Sequence, residues 1–126
     1  MPGSIQHPLY TIVYPIHTST KIINNATFNQ TVTGADIDVS SYRDFVVTYK
    51  TGTATNSPTM VISLQNKDGN NNYIIDSDYV SSTITTATSG VGFKGFLEAY
   101  GTIRIVCTYG GTGSFATTTV ELQLKA

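Results

Sequence analysis

A chain of 126 residues can bury one substantial hydrophobic core and is too short for two. Hydrophobic residues make up 40% and charged residues only 12%, and Thr, Ser and Asn supply the remaining polarity, a mixture that favours pleated backbone and tight turns over long helices. The net charge of −1 comes from seven basic and eight acidic side chains without a run of either sign, and no apolar stretch nears the roughly 20 residues of a membrane span, so neither nucleic-acid nor membrane binding is expected.

Residues 1–16 stand apart from the rest of the chain. Met1-Pro2-Gly3-Ser4 lacks the charged and apolar regions of a secretion signal, so synthesis in the cytosol is expected. Pro2, Pro8 and Pro15 rule out a central strand position because proline cannot donate to a ladder. Between them Leu9, Tyr10, Ile12, Val13, Tyr14 and Ile16 are apolar or aromatic on both faces. The segment is therefore either an edge strand of its own domain or an extended arm that docks on another chain. Leu9, Tyr10, Ile12, Tyr14 and Ile16 are the candidate interface residues, and residues 17–126 form the folded domain.

Strand-like segments follow at 26–33 and 35–39, with a short helical turn conceivable at 40–43. At 44–50, Phe45, Val47 and Tyr49 align on one side; at 59–66, Met60, Ile62 and Leu64 do. Gly52, Asn56 and Pro58 mark the loop between them. The turn Lys67-Asp68-Gly69-Asn70-Asn71-Asn72 then leads into a return strand at 73–76, a predicted hairpin. Segments 79–86 and 92–98 carry weaker alternation. At 102–109, Ile103, Ile105, Cys107 and Tyr109 share a face, and at 116–125 Thr118, Val120, Leu122 and Leu124 do. Gly110-Gly111-Thr112-Gly113 between these two suggests a terminal hairpin. Turn signals about every ten residues predict an all-β protein, an antiparallel β-sandwich of jelly-roll or immunoglobulin-like type with about eight short strands.

Catalytic or metal-binding constellations are not evident. His7 and His17 have no carboxylate or cysteine at ligand spacing. Ser89 and Ser114 lie near glycines without forming a nucleophile elbow. Cys107, the only cysteine, can make no internal disulfide and reads as a buried, inert thiol. Asp68, Asn70 and Asn72 alternate as in a calcium loop, but Tyr73 replaces its glycine and no bidentate Glu follows. Asp36 with Asp38, and Asp76 with Asp78, share faces of their segments and read as solvated turn carboxylates before they read as ion ligands. No cofactor and no metal are expected. Eight tyrosines and five phenylalanines without a tryptophan leave Tyr10, Tyr14, Tyr73, Tyr79 and Tyr100 as exposed candidates for contact or stacking, the alternative being that most of them cap the sandwich core. Asn25-Ala26-Thr27 and Asn29-Gln30-Thr31 match the glycosylation pattern by chance if no secretion signal is present.

The run Pro58-Thr59-Met60-Val61-Ile62-Ser63-Leu64-Gln65-Asn66-Lys67-Asp68, followed by Asn72-Tyr73-Ile74-Ile75-Asp76, resembles small structural proteins of tailed bacteriophages, in which a strand ending in Gln-x-Lys-Asp meets a turn and a Tyr-containing return strand. Gly101 to Tyr109, the glycine-rich turn and Phe115 to Leu124 are similar to the closing hairpin of that pattern, so the resemblance spans about residues 43–124. The chain departs from it at Gly92-Phe93-Lys94-Gly95-Phe96-Leu97, where many members carry a Pro-Gly element. The resemblance implies a non-enzymatic virion component such as a capsid decoration protein. Its implied partners are a major capsid or other virion protein and further copies of itself, in a trimer for example. The alternative is a carbohydrate- or receptor-binding module, free-standing or on a tail.

Overall fold

The computed structural model describes residues 17–97 and 100–126. Among these residues ten strands form: β1 (His17–Phe28), β2 (Val32–Thr33), β3 (Ile37–Asp38), β4 (Asp44–Lys50), β5 (Ala54–Thr55), β6 (Pro58–Lys67), β7 (Tyr73–Val80), β8 (Ser89–Phe96), β9 (Thr102–Gly111) and β10 (Ser114–Lys125). They build two antiparallel sheets. One has the order β1-β10-β4-β8 with β5 also on β10, and the other β2-β9-β6-β7 with β3 also on β9.

The period-two pattern explains why the sheets face each other, since every second side chain of a strand points to the same side. Phe45 and Val47 of β4 and Val120, Leu122 and Leu124 of β10 are buried, as are Met60, Ile62 and Leu64 of β6 and Ile103, Ile105 and Cys107 of β9. Each such aliphatic or aromatic side chain contributes on the order of 1.5–3 kcal/mol by leaving water. The predicted sandwich and its four strongest strands are thus present, with the predicted residues inward. Residues 39–42 form a single turn, closed by the Tyr42 amide donating to the Val39 carbonyl at 3.0 Å, one residue ahead of the expected 40–43.

The terminal hairpin requires correction. β9 and β10 follow one another but lie in different sheets. β9 ends beside β6, with Gly111 opposite Pro58, whereas β10 begins beside β5, with Ser114 opposite Thr55. The β5–β6 and β9–β10 connections therefore turn the same corner side by side, each passing from one sheet to the other. Gly111 (φ 74°) and Gly113 (φ 85°) adopt left-handed backbone there. A Cβ at Gly111 would overlap the Ser57 carbonyl, and one at Gly113 the Thr55 carbonyl. The glycines were read as hairpin residues, but they serve a sheet-to-sheet corner, a distinction that local turn chemistry does not encode.

The β6–β7 hairpin is as predicted, with Lys67, Asn66 and Gln65 opposite Tyr73, Ile74 and Ile75. Asp68 organises its tip by accepting from the Asn70 and Asn72 amides at 2.8 and 2.9 Å. Farther along, residues 76–79 of β7 bulge opposite Leu64 alone, between the pairs Gln65 with Ile75 and Ser63 with Val80. Other boundaries shift. β1 begins at His17, upstream of any clear alternation, and ends at Phe28, while the remainder of segment 26–33 supplies only β2. Segment 79–86 gives the end of β7 and an isolated bridge from Ile84 to Met60. β8 starts at Ser89, ahead of the predicted segment 92–98.

Candidate interaction surface

Strand register assembles a surface on the outer side of the β1-β10-β4-β8 sheet. Where Leu124 and Phe45 point inward, their neighbours Lys125 and Asp44 point outward. The pairs His17 with Lys125, Lys125 with Asp44 and Asp44 with Phe96 make one row across all four strands. The next outward row is Ser19, Gln123, Val46 and Lys94. These two rows enclose a shallow depression of about 220 Å³ lined by His17, Asp44, Val46, Lys94, Gln123 and Lys125. A second depression, of about 360 Å³, adjoins it at Asp44, Lys94, Gly95 and Phe96. The walls are largely apolar because the long side chains present their aliphatic stems. On β8, Phe96 is 64% exposed and Val91 55%, at opposite ends of the ladder with β4.

Asp44 lies in both depressions. Its Oδ2 is 3.7 Å from the exposed Arg43 guanidinium, a contact worth little in water. Its Oδ1 is buried and lacks a hydrogen-bond partner among the described residues, which is costly unless a donor arrives. Sequence reading missed this surface. Phe96 is preceded by a β8 bulge that shifts the register between Val47 and Thr48, so simple alternation from the N-terminal end of the strand fails there.

The predicted interface residues Leu9, Tyr10, Ile12, Tyr14 and Ile16, and His7, lie outside the described residues. His17, exposed at the start of β1, stands opposite Lys125, at the far end of β10 from Ser114. Ser89 opens β8. Cys107 is fully buried in the core, where desolvation pushes its thiol up to about 12.

Four of the five aspartates considered for an ion, Asp36, Asp38, Asp68 and Asp76, have local side-chain partners, and Asp78 contributes its amide to one of them. Asp36 accepts from the Tyr73 hydroxyl at 2.8 Å and from Lys67 Nζ at 3.1 Å, and these bonds hold its carboxyl below the ordinary carboxylate value. Arg104 lies over the Tyr73 ring at 3.5 Å and donates to Gln65 at 2.7 Å. Asp38 accepts from the Ser40 hydroxyl and amide, which lowers its carboxyl in turn. Asp68 serves the hairpin tip, and Asp76 accepts from the Tyr100 hydroxyl and the Asp78 amide. Among the described residues no three His, Cys, Asp or Glu side chains gather as a metal site.

Tyr73, Tyr79 and Tyr100 are half-buried, as the core-capping alternative has it for Tyr79 and Tyr100, and none is an exposed platform. Tyr79 packs edge-on against Phe45 with ring centroids 4.9 Å apart, and its hydroxyl accepts from the Phe96 amide at 3.4 Å. The β7 bulge brings this ring inward onto Phe45 and Phe93 of the other sheet and against Tyr100, so Tyr79 braces the two sheets where β7 meets β8.

No family model matches the chain, and no curated protein does. Solved structures do. The SPBc2 prophage-derived protein YomS superposes with a TM-score of 0.60 at 12% identity, covering 92% of this chain and 98% of that one. The VP2 subviral particle of infectious bursal disease virus gives 0.61 at 12% identity over 88% of this chain. Only 32% of that VP2 chain is covered, so the present protein spans about a third of its length. What is shared at such low identity is the fold.

Proposed function

We propose that the protein is a non-enzymatic structural component of a bacteriophage virion, a decoration protein that binds the outer capsid surface and neighbouring copies of itself. The observation that carries this reading is the end-to-end sharing of one sandwich with a prophage-derived protein. A virus particle protein containing the same sandwich adds support, as does the resemblance of residues 43–124 to tailed-phage structural proteins. In this reading residues 1–16 are an assembly arm, with Leu9, Tyr10, Ile12, Tyr14 and Ile16 as its contact residues. Many copies on a lattice turn individually weak contacts into a firm hold, because each bound copy raises the local concentration of the next contact. The tyrosines favour this reading over a sugar-binding one, since the half-buried rings of Tyr73, Tyr79 and Tyr100 offer no free stacking face of the usual kind.

The test is quantitative mass spectrometry of purified particles made by the virus or prophage that encodes the chain. A fixed ratio to the major capsid protein is expected, together with surface labelling by antibody in electron micrographs. Leu9→Asp with Ile12→Asp should strip the protein from particles without unfolding it. Absence from purified particles refutes the proposal.

A further inference from the structure

We infer that copies of this chain stack head to tail, the outer face of the β1-β10-β4-β8 sheet of one docking on the outer face of the β2-β9-β6-β7 sheet of the next. The inference rests on the reading above, which calls for contact between copies, and names the two surfaces that make it.

No run of either sign occurs along the chain, yet folding sorts the charges. Residues opposite one another in an antiparallel pair point to the same side, so the ladders gather Lys21 of β1, Lys50 of β4, Lys94 of β8 and Lys125 of β10 on one outer face. Arg43 stands at its rim beside Asp44, and Glu121 is the other acidic group there, which makes five basic side chains against two acidic. The other sheet, with its β2–β3 connection and β6–β7 tip, carries Asp36, Asp38, Asp68, Asp76 and Asp78 against Lys67 and Arg104, five acidic against two basic. Glu98, the remaining charged residue, lies outside the described residues. A net charge of −1 thus conceals a surplus of three positive charges on one sheet and of three negative charges on the other.

The two cations of the acidic sheet are engaged within it, Lys67 with Asp36 at 3.1 Å and Arg104 over the Tyr73 ring. Among the described residues no carboxylate lies at ion-pair distance from Lys21, Lys50, Lys94 or Lys125. Each face also carries exposed apolar side chains on the same side of the sandwich. Val91 and Phe96 of β8 lie beside Thr48 and Asp44 on the basic face, and Ile75 and Val80 of β7 lie opposite Gln65 and Ser63 on the acidic one. Stacking one copy on the next brings the two apolar strips together and sets lysines against aspartates beside them. Complementary charge of this kind fixes partner and orientation more than it adds affinity. A two-fold contact would lay each face on itself, lysine against lysine, whereas a head-to-tail contact joins unlike faces. Four strands about 4.8 Å apart and about seven residues long cover roughly 450 Å² on each partner, below the roughly 1,200 Å² total of stable pairs. The contact is therefore weak for one pair and strengthens when many copies are held together.

The experiment is sedimentation equilibrium of full-length chains in about 0.02 M and about 0.5 M salt, between which the screening length falls from about 20 to about 4 Å. The unmodified protein should associate at low salt with a Kd below about 1 mM, and high salt should raise that Kd at least about tenfold. Lys94→Glu with Lys125→Glu should do the same at low salt, and so should Asp38→Lys with Asp78→Lys, because each pair of changes makes the two faces alike in sign. All four residues are exposed, and thermal melts check that the variants fold. Mixing the two variants should restore association, and a chain carrying all four changes should associate alone, a rescue that misfolding cannot produce. An unmodified chain that is monomeric up to about 1 mM, association indifferent to salt, either double variant associating alone as the unmodified chain does, or a mixture that fails to associate overturns the inference. So does a monomeric chain that binds heparin through Lys94 and Lys125, since the basic face then serves an anionic polymer. Particle composition separates the two layers. A chain absent from purified particles removes the virion reading and leaves the charge-exchange result standing, whereas a chain present in particles whose variants show no exchange removes the stacking alone.

Discussion

Gly113→Ala tests the corner that carries β9 into β10. The residue sits at φ 85°, where an L-amino acid costs about 1–2 kcal/mol. A Cβ would also overlap the Thr55 carbonyl, on the strand that pairs with the start of β10, and moving packed backbone adds about 1–3 kcal/mol. A loss of about 2–5 kcal/mol is expected, corresponding to roughly 6–25 °C in Tm for a domain of this size. Gly69→Ala is the control, because a Cβ there meets nothing within 4 Å, and it should stay within about 0.5 kcal/mol of the unmodified protein. Urea unfolding of the three proteins, followed by circular dichroism, provides the measurement. In a free hairpin at the edge of the molecule no β5 carbonyl would crowd Gly113. A Gly113→Ala protein within about 1 kcal/mol of the Gly69→Ala control refutes the shared corner.

Two further expectations follow from buried and networked groups. Cys107, fully buried with its thiol raised to about 12, should not react with Ellman's reagent at pH 8 in the folded protein and should react fully in urea; rapid native labelling would contradict the core assignment. Asp36 is held below its ordinary 3.8 by the Tyr73 hydroxyl and then by Lys67, so its contribution to stability is complete above that ordinary value and disappears as pH falls through the lower folded one. Asp36→Asn should flatten the acid side of a urea-midpoint profile taken from pH 6 to 2.5 and leave the slope above pH 5 unchanged, whereas an unaltered acid side would remove Asp36 from the pH dependence.

The sandwich was legible because its central strands keep a period of two on the inward face. Val120, Leu122 and Leu124 alternate with Glu121 and Gln123, and Met60, Ile62 and Leu64 keep the same period across Val61 and Ser63, a pattern that survives whatever the partner strand is. What could not be read was which strand faces which sheet. The glycines at 110, 111 and 113 announce a change of direction equally well for a hairpin and for a corner, and only the neighbouring β5–β6 connection decides between them. Bulges hid the rest. The one before Phe93 in β8 and the one at 76–79 in β7 break the period of two, so Phe96 was not assigned to the surface and Tyr79 was taken for an exposed ring. The start of β1 was silent for another reason, since His17-Thr18-Ser19-Thr20-Lys21 is polar throughout and its strand form comes from pairing with β10.

Those bulges also bear on how the molecule meets others. Ile74, Ile75, Val80, Val91 and Phe96 are the exposed large hydrophobic side chains among the described residues, and all five lie on β7 and β8, the strands that end the two sheet paths on the same side of the sandwich. A straight apolar edge strand invites open-ended pairing with further chains. Here each edge is interrupted, β7 by residues 76–79 and β8 beside Val47 and Thr48, and a bulge twists the ladder out of register. Backbone pairing is thereby discouraged while the side chains remain available. Contacts made through side chains on a sheet face are limited by shape and can close, whereas ladder extension has no natural end. In the assembly role proposed above, that separation would let the chain join in fixed geometry without open-ended pairing, and the outer face bearing Val46, Asp44 and Phe96 is where apolar area stays open.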